Sequence, residues 1–241
     1  INYIQRFGFQ ASQLPPTLSL ALGTAMVTPL QMATAYSTFA NGGFKIVPYL
    51  IDTIHNSKDE IIYEAKPLIA CEKCTANTTK DTPSAPRIIS AQNAFLINST
   101  LRDVIQHGTA TAARSLQRGD LAGKTGTTQN QVDAWFIGFN SNIVALTWLG
   151  FDQQQQSLHE YGAQAALPMW IDFMESALKD QPEHPFLQPA GIVNIRIDPQ
   201  TGKRAPANDP MAMFEFFMTP FVPQDDKNLG EDKTEQNNSI Y

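Results

Sequence analysis

The residues of this chain best suited to chemistry are Lys124, Thr125, Gly126 and Thr127, within the run Ala122-Gly123-Lys124-Thr125-Gly126-Thr127-Thr128. In a strand successive side chains alternate, so Thr125 and Thr127 share one face and Lys124 projects to the other side of the strand's edge. Gly126 carries no side chain, which lets a ligand or another lobe come close to the backbone. Two hydroxyls beside a fixed cation suit a carboxylate. On an edge strand, free N–H groups can hold an extended peptide or a developing oxyanion. A bare Lys-Thr-Gly turns up by chance in about one chain in twenty of this length, so its setting decides its weight. Gly123-Lys124-Thr125 also imitates the end of a phosphate-binding loop. That motif needs glycine where Arg118 stands and a helix starting at the lysine, and Gly126-Thr127-Thr128 is a poor helix start.

Other candidate chemistry is weaker. The two cysteines, Cys71 and Cys74, lie in a polar loop, and the four histidines (His55, His107, His159, His184) are scattered. Neither set has metal-ligand spacing, so no metal and no cofactor is expected. The cysteines read as a local disulfide or two loop thiols.

The positioning elements follow from periodicity and caps. Thr28 caps a helix over Pro29 to Ala40, with Pro29 at its first position and Gln31 completing a capping box. Met32, Tyr36, Phe39 and Ala40 form its apolar face, and Asn41-Gly42-Gly43 stops it. A hairpin is expected next, with strands Ile46 to Ile54 and Ile61 to Tyr63 around an Asn56-Ser57-Lys58-Asp59 turn. Residues Lys66 to Arg87 read as loop. Ser90 caps a second helix, Ala91 to Gln106, with Ala94, Ile97, Leu101, Val104 and Ile105 as its stripe. Gly108 ends it, and a short Ala-rich helix covers Thr109 to Leu116. Three strands follow: Leu121 to Thr128, Ala134 to Phe139 and Ile143 to Leu149. The tight Asn140-Ser141-Asn142 turn makes the last two antiparallel. A helix over Ala165 to Leu178 carries Trp170, Phe173, Met174 and Ala177 on one side, with Pro168 in its first turn. Gly191 to Ile197 reads as a further strand turned by Asp198 to Gly202. Residues 224–241 are acidic and poor in apolar side chains, and read as a disordered tail.

Composition bounds the rest. The 241 residues suffice for one large domain or two small ones. A formal net charge of -6 argues against nucleic acid as a partner. The longest apolar run, Ile143 to Leu149, falls far short of the roughly 20 residues of a spanning helix. The chain opens on Ile1, at helical spacing with Ile4 and Phe7, and is read as a piece of a longer protein.

The box and the Asp133-Ala134-Trp135-Phe136-Ile137-Gly138 run after it resemble the third signature box of penicillin-binding transpeptidases, most closely the class A, bifunctional group. Ser19 to Gly23, Thr28 to Ala33, Phe39 to Gly43, His107-Gly108-Thr109-Ala110 and Asp198 to Gly202 agree, in order, across residues 1–205. The resemblance implies an α+β fold, an antiparallel sheet flanked by helices, here incomplete. Residues 1–180 would be the C-terminal portion of the transpeptidase domain, 181–223 a C-terminal extension, and 224–241 the tail. It implies three boxes: Ser-x-x-Lys, Ser-x-Asn and Lys-Thr-Gly. No Ser-x-Asn occurs here, and the lone Ser-x-x-Lys, at Ser176, follows the third box near a surface helix end. The nucleophile, second box, glycosyltransferase domain and membrane anchor are therefore expected upstream, and the segment alone is expected to be inactive.

By the resemblance, the parent is a serine D-Ala-D-Ala transpeptidase that crosslinks peptidoglycan stem peptides and is acylated by β-lactam antibiotics. It would work on the extracytoplasmic face of the cytoplasmic membrane. Lys124 and Thr127 would be catalytic, Lys124 supplying positive potential and the Thr127 N–H half of the oxyanion hole. Lys124, Thr125, Gly126, Thr127 and Thr128 would bind substrate, with the two threonines Thr125 and Thr127 on the terminal carboxylate. Gln129 to Val132 would line the cleft. Trp135, Phe136 and Tyr36 read as packing, and Asp133 as a turn residue. The competing reading is a non-catalytic peptidoglycan-binding or antibiotic-sensing module on the same scaffold.

Overall fold

The computed structural model describes residues 1–71, 84–152 and 156–224. Contacts divide the chain into Ile1–Leu187 and Gln188–Tyr241.

The first unit is organised around a three-stranded antiparallel sheet of β3 (Ala122–Thr127), β4 (Asp133–Phe139) and β5 (Val144–Gly150), in that order. β4 is central, so β3 and β5 are the sheet's two edges. The β4–β5 turn is built by Asn140, whose Oδ1 accepts from the N–H groups of Asn142 and Ile143, both at 2.9 Å. Pairing aligns Thr125 with Phe136 and Thr127 with Ala134, whereas Lys124 aligns with Ile137 and Gly126 with Trp135. Partners across a ladder share a face. The box threonines therefore lie on the Phe136 face, and Lys124 and Gly126 on the other.

Each face has its own core. On the Phe136 face packs α3 (Gly162–Ala177), burying Leu167, Trp170 and Met174 against Ala134 and Phe136. Trp170 stands edge-on to Phe136, with ring centroids 4.9 Å apart, and its indole N–H donates to the Ala145 carbonyl. Full burial of such side chains is worth about 1.5–3 kcal/mol each. On the opposite face Ala122 and Phe139 pack with Ala40 of α1 (Pro29–Ala40) and Leu101 of α2 (Ala91–Gln106).

Both helices have the bounds their caps imply. Thr28 Oγ1 accepts from Gln31 N, Gln31 Oε1 accepts from Thr28 N, and Ser90 Oγ accepts from Asn93 N. Their buried faces differ from the expected stripes. Ile97 is 40% exposed, and Phe95 and Asn98 are buried instead. The Asn98 amide donates to the Phe39 carbonyl and ties α2 to the end of α1. In α3 Phe173 is 53% exposed.

Two boundaries are corrected. α3 starts at Gly162 rather than Ala165, which moves Pro168 out of the first turn. The helix tolerates it because Pro168 and Gln164, whose carbonyl loses its usual donor, both face solvent. The early hairpin is shorter than expected: β1 (Thr53–His55) pairs with β2 (Ile61–Glu64), and residues 46–52 are outside it. Pairing continues past the strands only as far as the Ala65 N–H, which donates to the Asp52 carbonyl at 2.8 Å before the returning segment reaches Pro67. The expected helix after Gly108 is a 3-10 turn over Thr111–Leu116.

In the second unit, β6 (Ile192–Ile197) pairs antiparallel with β7 (Met213–Met218), a strand not expected from sequence. The Asp198 to Gly202 turn is closed by the Asp198 side chain, which accepts from Gln200 N at 2.8 Å and Thr201 Oγ1 at 2.9 Å. Apart from Gln224, the stretch read as a tail lies outside the described residues. So does Cys74; Cys71 is disulfide-bonded. Among the described residues, no helix is long and apolar enough to cross a membrane.

Candidate functional site

β3 presents the box on a sheet edge. Just beyond it, the Thr128 N–H donates to the Asp133 carbonyl at 3.1 Å. Along an antiparallel strand the N–H and C=O of successive residues point to alternate sides. Those of Thr127 and Thr125 are therefore turned to the open edge. The Lys124 ammonium agrees with this: it folds back around the edge and donates to the Thr125 carbonyl at 3.0 Å and to Thr125 Oγ1 at 3.3 Å. The cation and the Thr125 hydroxyl thus meet at one edge although the pleat sends their Cβ atoms to opposite faces.

Each hydroxyl has a partner behind it. Thr127 Oγ1 accepts from the Gly162 N–H, the first of α3, at 3.0 Å. Thr125 Oγ1 lies 2.7 Å from Thr109 Oγ1, on the turn after α2. An accepting hydroxyl keeps its own proton to donate elsewhere. Gly162 reaches Thr127 because it has no side chain: a Cβ there would stand 2.5 Å from the carbonyl oxygens of Gly126 and Trp135. A Cβ on Gly126 would lie on the other face, 3.1 Å from Trp135 Cβ, so it is Gly162 and not Gly126 whose missing side chain lets α3 come close.

Thr128 is placed differently. Its hydroxyl accepts from the Asp133 N–H at 2.8 Å and lies 3.3 Å from Asp133 Oδ2. Asp133 Oδ1 in turn accepts from the Trp148 indole at 2.9 Å. These bonds close the β3–β4 loop and give Asp133 a structural part. Within the loop Asn130 and Gln131 adopt positive φ, and their carbonyls accept from Ser157 Oγ at 2.6 Å and Leu158 N at 2.8 Å. Trp135 packs on Trp148, ring centroids 6.0 Å apart, on the face away from the hydroxyls. Tyr36 lies edge-on to Phe139, and burial pushes its hydroxyl up to about 12.

The foot of β3 is anchored by charge. The fully buried Asp120 takes two bonds from Arg118, Nε to Oδ1 at 2.9 Å and Nη2 to Oδ2 at 2.8 Å. It also accepts from His184 N at 3.1 Å and Asn140 Nδ2 at 3.4 Å. Burial by itself would raise this carboxyl, but the bonds from Arg118, His184 and Asn140 outweigh it and hold the pKa below the usual carboxylate range. Arg118 also donates to the carbonyls of Gln181 and Pro182, fastening the segment after α3 beside the strand.

Sequence reasoning missed Thr109 and Gly162 as members of this arrangement. The His107-Gly108-Thr109-Ala110 run was a signal for the first. Nothing marked the second, because Tyr161 is not a capping residue.

An antiparallel sheet cored on both faces by helices, with Lys-Thr-Gly-Thr on its edge, defines a penicillin-binding transpeptidase fold. The family model "Penicillin binding protein transpeptidase domain" matches residues 6–173, and the chain belongs to that family. It is 42% identical to penicillin-binding protein 1A of Pseudomonas aeruginosa, over 92% of this chain and 31% of that protein. Against penicillin-binding protein 1A of Neisseria lactamica it is 42% identical over 80% of this chain and 23% of the other. The crystal structure of penicillin-binding protein 1A from Haemophilus influenzae superposes with a TM-score of 0.83 at 37% identity, covering 92% of this chain and 36% of that one. The ceftriaxone acyl-enzyme complex of penicillin-binding protein A from M. tuberculosis shares the fold, with a TM-score of 0.54 at 21% identity over 73% of this chain and 42% of that one. The chain spans 23–31% of the length of these curated relatives.

Proposed function

We propose that this chain supplies the substrate-binding edge strand of a class A serine D,D-transpeptidase that crosslinks peptidoglycan stem peptides. The observation that carries this reading is the open edge of β3, where the Lys124 ammonium meets the backed Thr125 hydroxyl and the N–H groups of Thr125 and Thr127 face outward. Thr125 and Thr127 donate to the terminal carboxylate of the stem peptide, and Lys124 supplies positive potential. The Thr127 N–H holds the oxyanion as a serine outside residues 1–241 attacks the D-Ala-D-Ala carbonyl. D-Ala leaves, and an amine of a neighbouring stem takes the acyl group from the serine. β-Lactams acylate the same serine and present their own carboxylate to the same threonines. Gly126 turns its bare Cα toward Trp135 on the other face, and Thr128 shapes the cleft through Asp133. The full-length protein acts at the extracytoplasmic face of the membrane, with its nucleophile, glycosyltransferase domain and anchor on chain preceding Ile1.

Labelling with fluorescent penicillin tests the reading. The full-length protein labels. Residues 1–241 alone do not, and co-expression with the preceding segment restores labelling. Labelling of 1–241 by itself would require another nucleophile and overturn the proposal.

A further inference from the structure

Thr109 stands outside the box yet meets it at its centre. Its Oγ1 is 2.7 Å from Thr125 Oγ1, which is also 3.3 Å from the Lys124 ammonium. The backbone that carries Thr109 is tightly determined. The Ala110 N–H donates to the Val104 carbonyl at 3.0 Å, and Ala110 is fully buried. On the other side, a Cβ on Gly108 would stand 2.8 Å from Val104 Cα. A fixed turn thus holds the backbone from which the exposed Thr109 hydroxyl reaches Thr125.

Proton counting gives this contact a direction. An ammonium has donors alone, so Thr125 Oγ1 accepts from Lys124. A hydroxyl has one proton and two acceptor positions. If Thr125 gave its proton to Thr109, an anion at the edge would meet no donor from Thr125. With an anion present, every group is satisfied when Thr109 donates to Thr125 and Thr125 donates to the anion. Thr127 is held in the same sense by Gly162, with a main-chain donor in place of a side chain.

We propose that Thr109 is a positioning residue of the carboxylate site, donating to Thr125 so that the Thr125 proton points to the ligand. This rests on the proposed transpeptidase reading. The test measures acylation of the full-length protein by benzylpenicillin and by its methyl ester, which lacks the free carboxylate. The apparent dissociation constant and the limiting acylation rate are separated for each. Loss of one neutral hydrogen bond corresponds to about a 3- to 10-fold weaker dissociation constant for benzylpenicillin in Thr109→Val. The limiting rate and the methyl ester constants should be unchanged. Thr109→Ser should restore wild-type behaviour, and Thr109→Ala should match the valine variant without the branched side chain. Equal losses for the acid and the ester, or no loss for either, would overturn the proposal. A wild-type protein that is not acylated at all would instead sink the transpeptidase reading on which it stands.

Discussion

Asp120, just before β3, and the Lys124–Thr127 stretch of that strand lie on one short piece of chain and are held in opposite ways. Asp120 is buried and takes bonds from Arg118, Asn140 and His184, so its acceptor positions are filled from within the protein. Thr125 and Thr127 each have a partner at their back and a free direction in front. Charge at the foot of the strand is used to fix it; charge and hydroxyls at its edge are left able to bind. A binding strand needs both. An edge whose anchoring wandered would not keep donors at the roughly 2.7–3.0 Å that charge-assisted bonds require.

The largest effect is expected at the foot of the strand. Asp120→Ala takes from Arg118, 11% exposed, its hydrogen-bonded counter-charge and leaves it the Coulombic pull of Glu183, and should cost about 3 kcal/mol of stability. Thermal melting of the full-length protein checks this. The pH dependence follows from the lowered pKa of Asp120. The stabilisation is present above the unfolded carboxylate value of about 3.9 and is lost as pH falls through the lower folded value. Wild type should lose this increment at acid pH and the variant should have none to lose. An identical acid limb in both would refute the anchoring role.

At the binding edge the effect moves from stability to rate. Lys124→Ala removes a charge-assisted group worth about 1.5–3 kcal/mol, so β-lactam acylation should slow roughly 10- to 150-fold with little change in melting temperature. Wild-type second-order rates in the variant would remove Lys124 from the site. Gly162→Ala sharpens the link between the two regions. Its Cβ would clash with the Gly126 and Trp135 carbonyls. Overpacking of this kind costs about 1–3 kcal/mol, and here it should also withdraw the donor behind Thr127, so melting temperature and acylation fall together. A variant that loses one without the other would separate the seat of α3 from the site. The smallest effect is expected for Thr127→Val, which keeps the backbone N–H and loses one hydroxyl. Affinity for a carboxylate-bearing boronic acid should drop by about 0.5–1.5 kcal/mol, while a boronic acid without the carboxylate should bind as before. Equal losses for both would show that the hydroxyl and the N–H do not divide the work.

The sequence by itself determined the local elements. Thr28 with Gln31, Ser90 and Asn140 are short-range devices whose bonds close within three residues, so α1, α2 and the β4–β5 turn were legible from neighbouring letters. The alternation of Lys124, Thr125 and Thr127 was legible for the same reason, because the pleat is a property of the strand alone. Tertiary structure decided what those side chains meet. Thr109 reaches Thr125, Gly162 reaches Thr127, and His184 reaches Asp120 across long stretches of chain. α3 could begin at Gly162 because the β3–β4 backbone lies against it and Thr127 accepts its first N–H, a cap that no residue near position 162 supplies. The exposure of Ile97 and Phe173, both on expected apolar stripes, has the same origin. Periodicity names a helix's apolar face, but which part of it is buried depends on where the neighbouring elements lie.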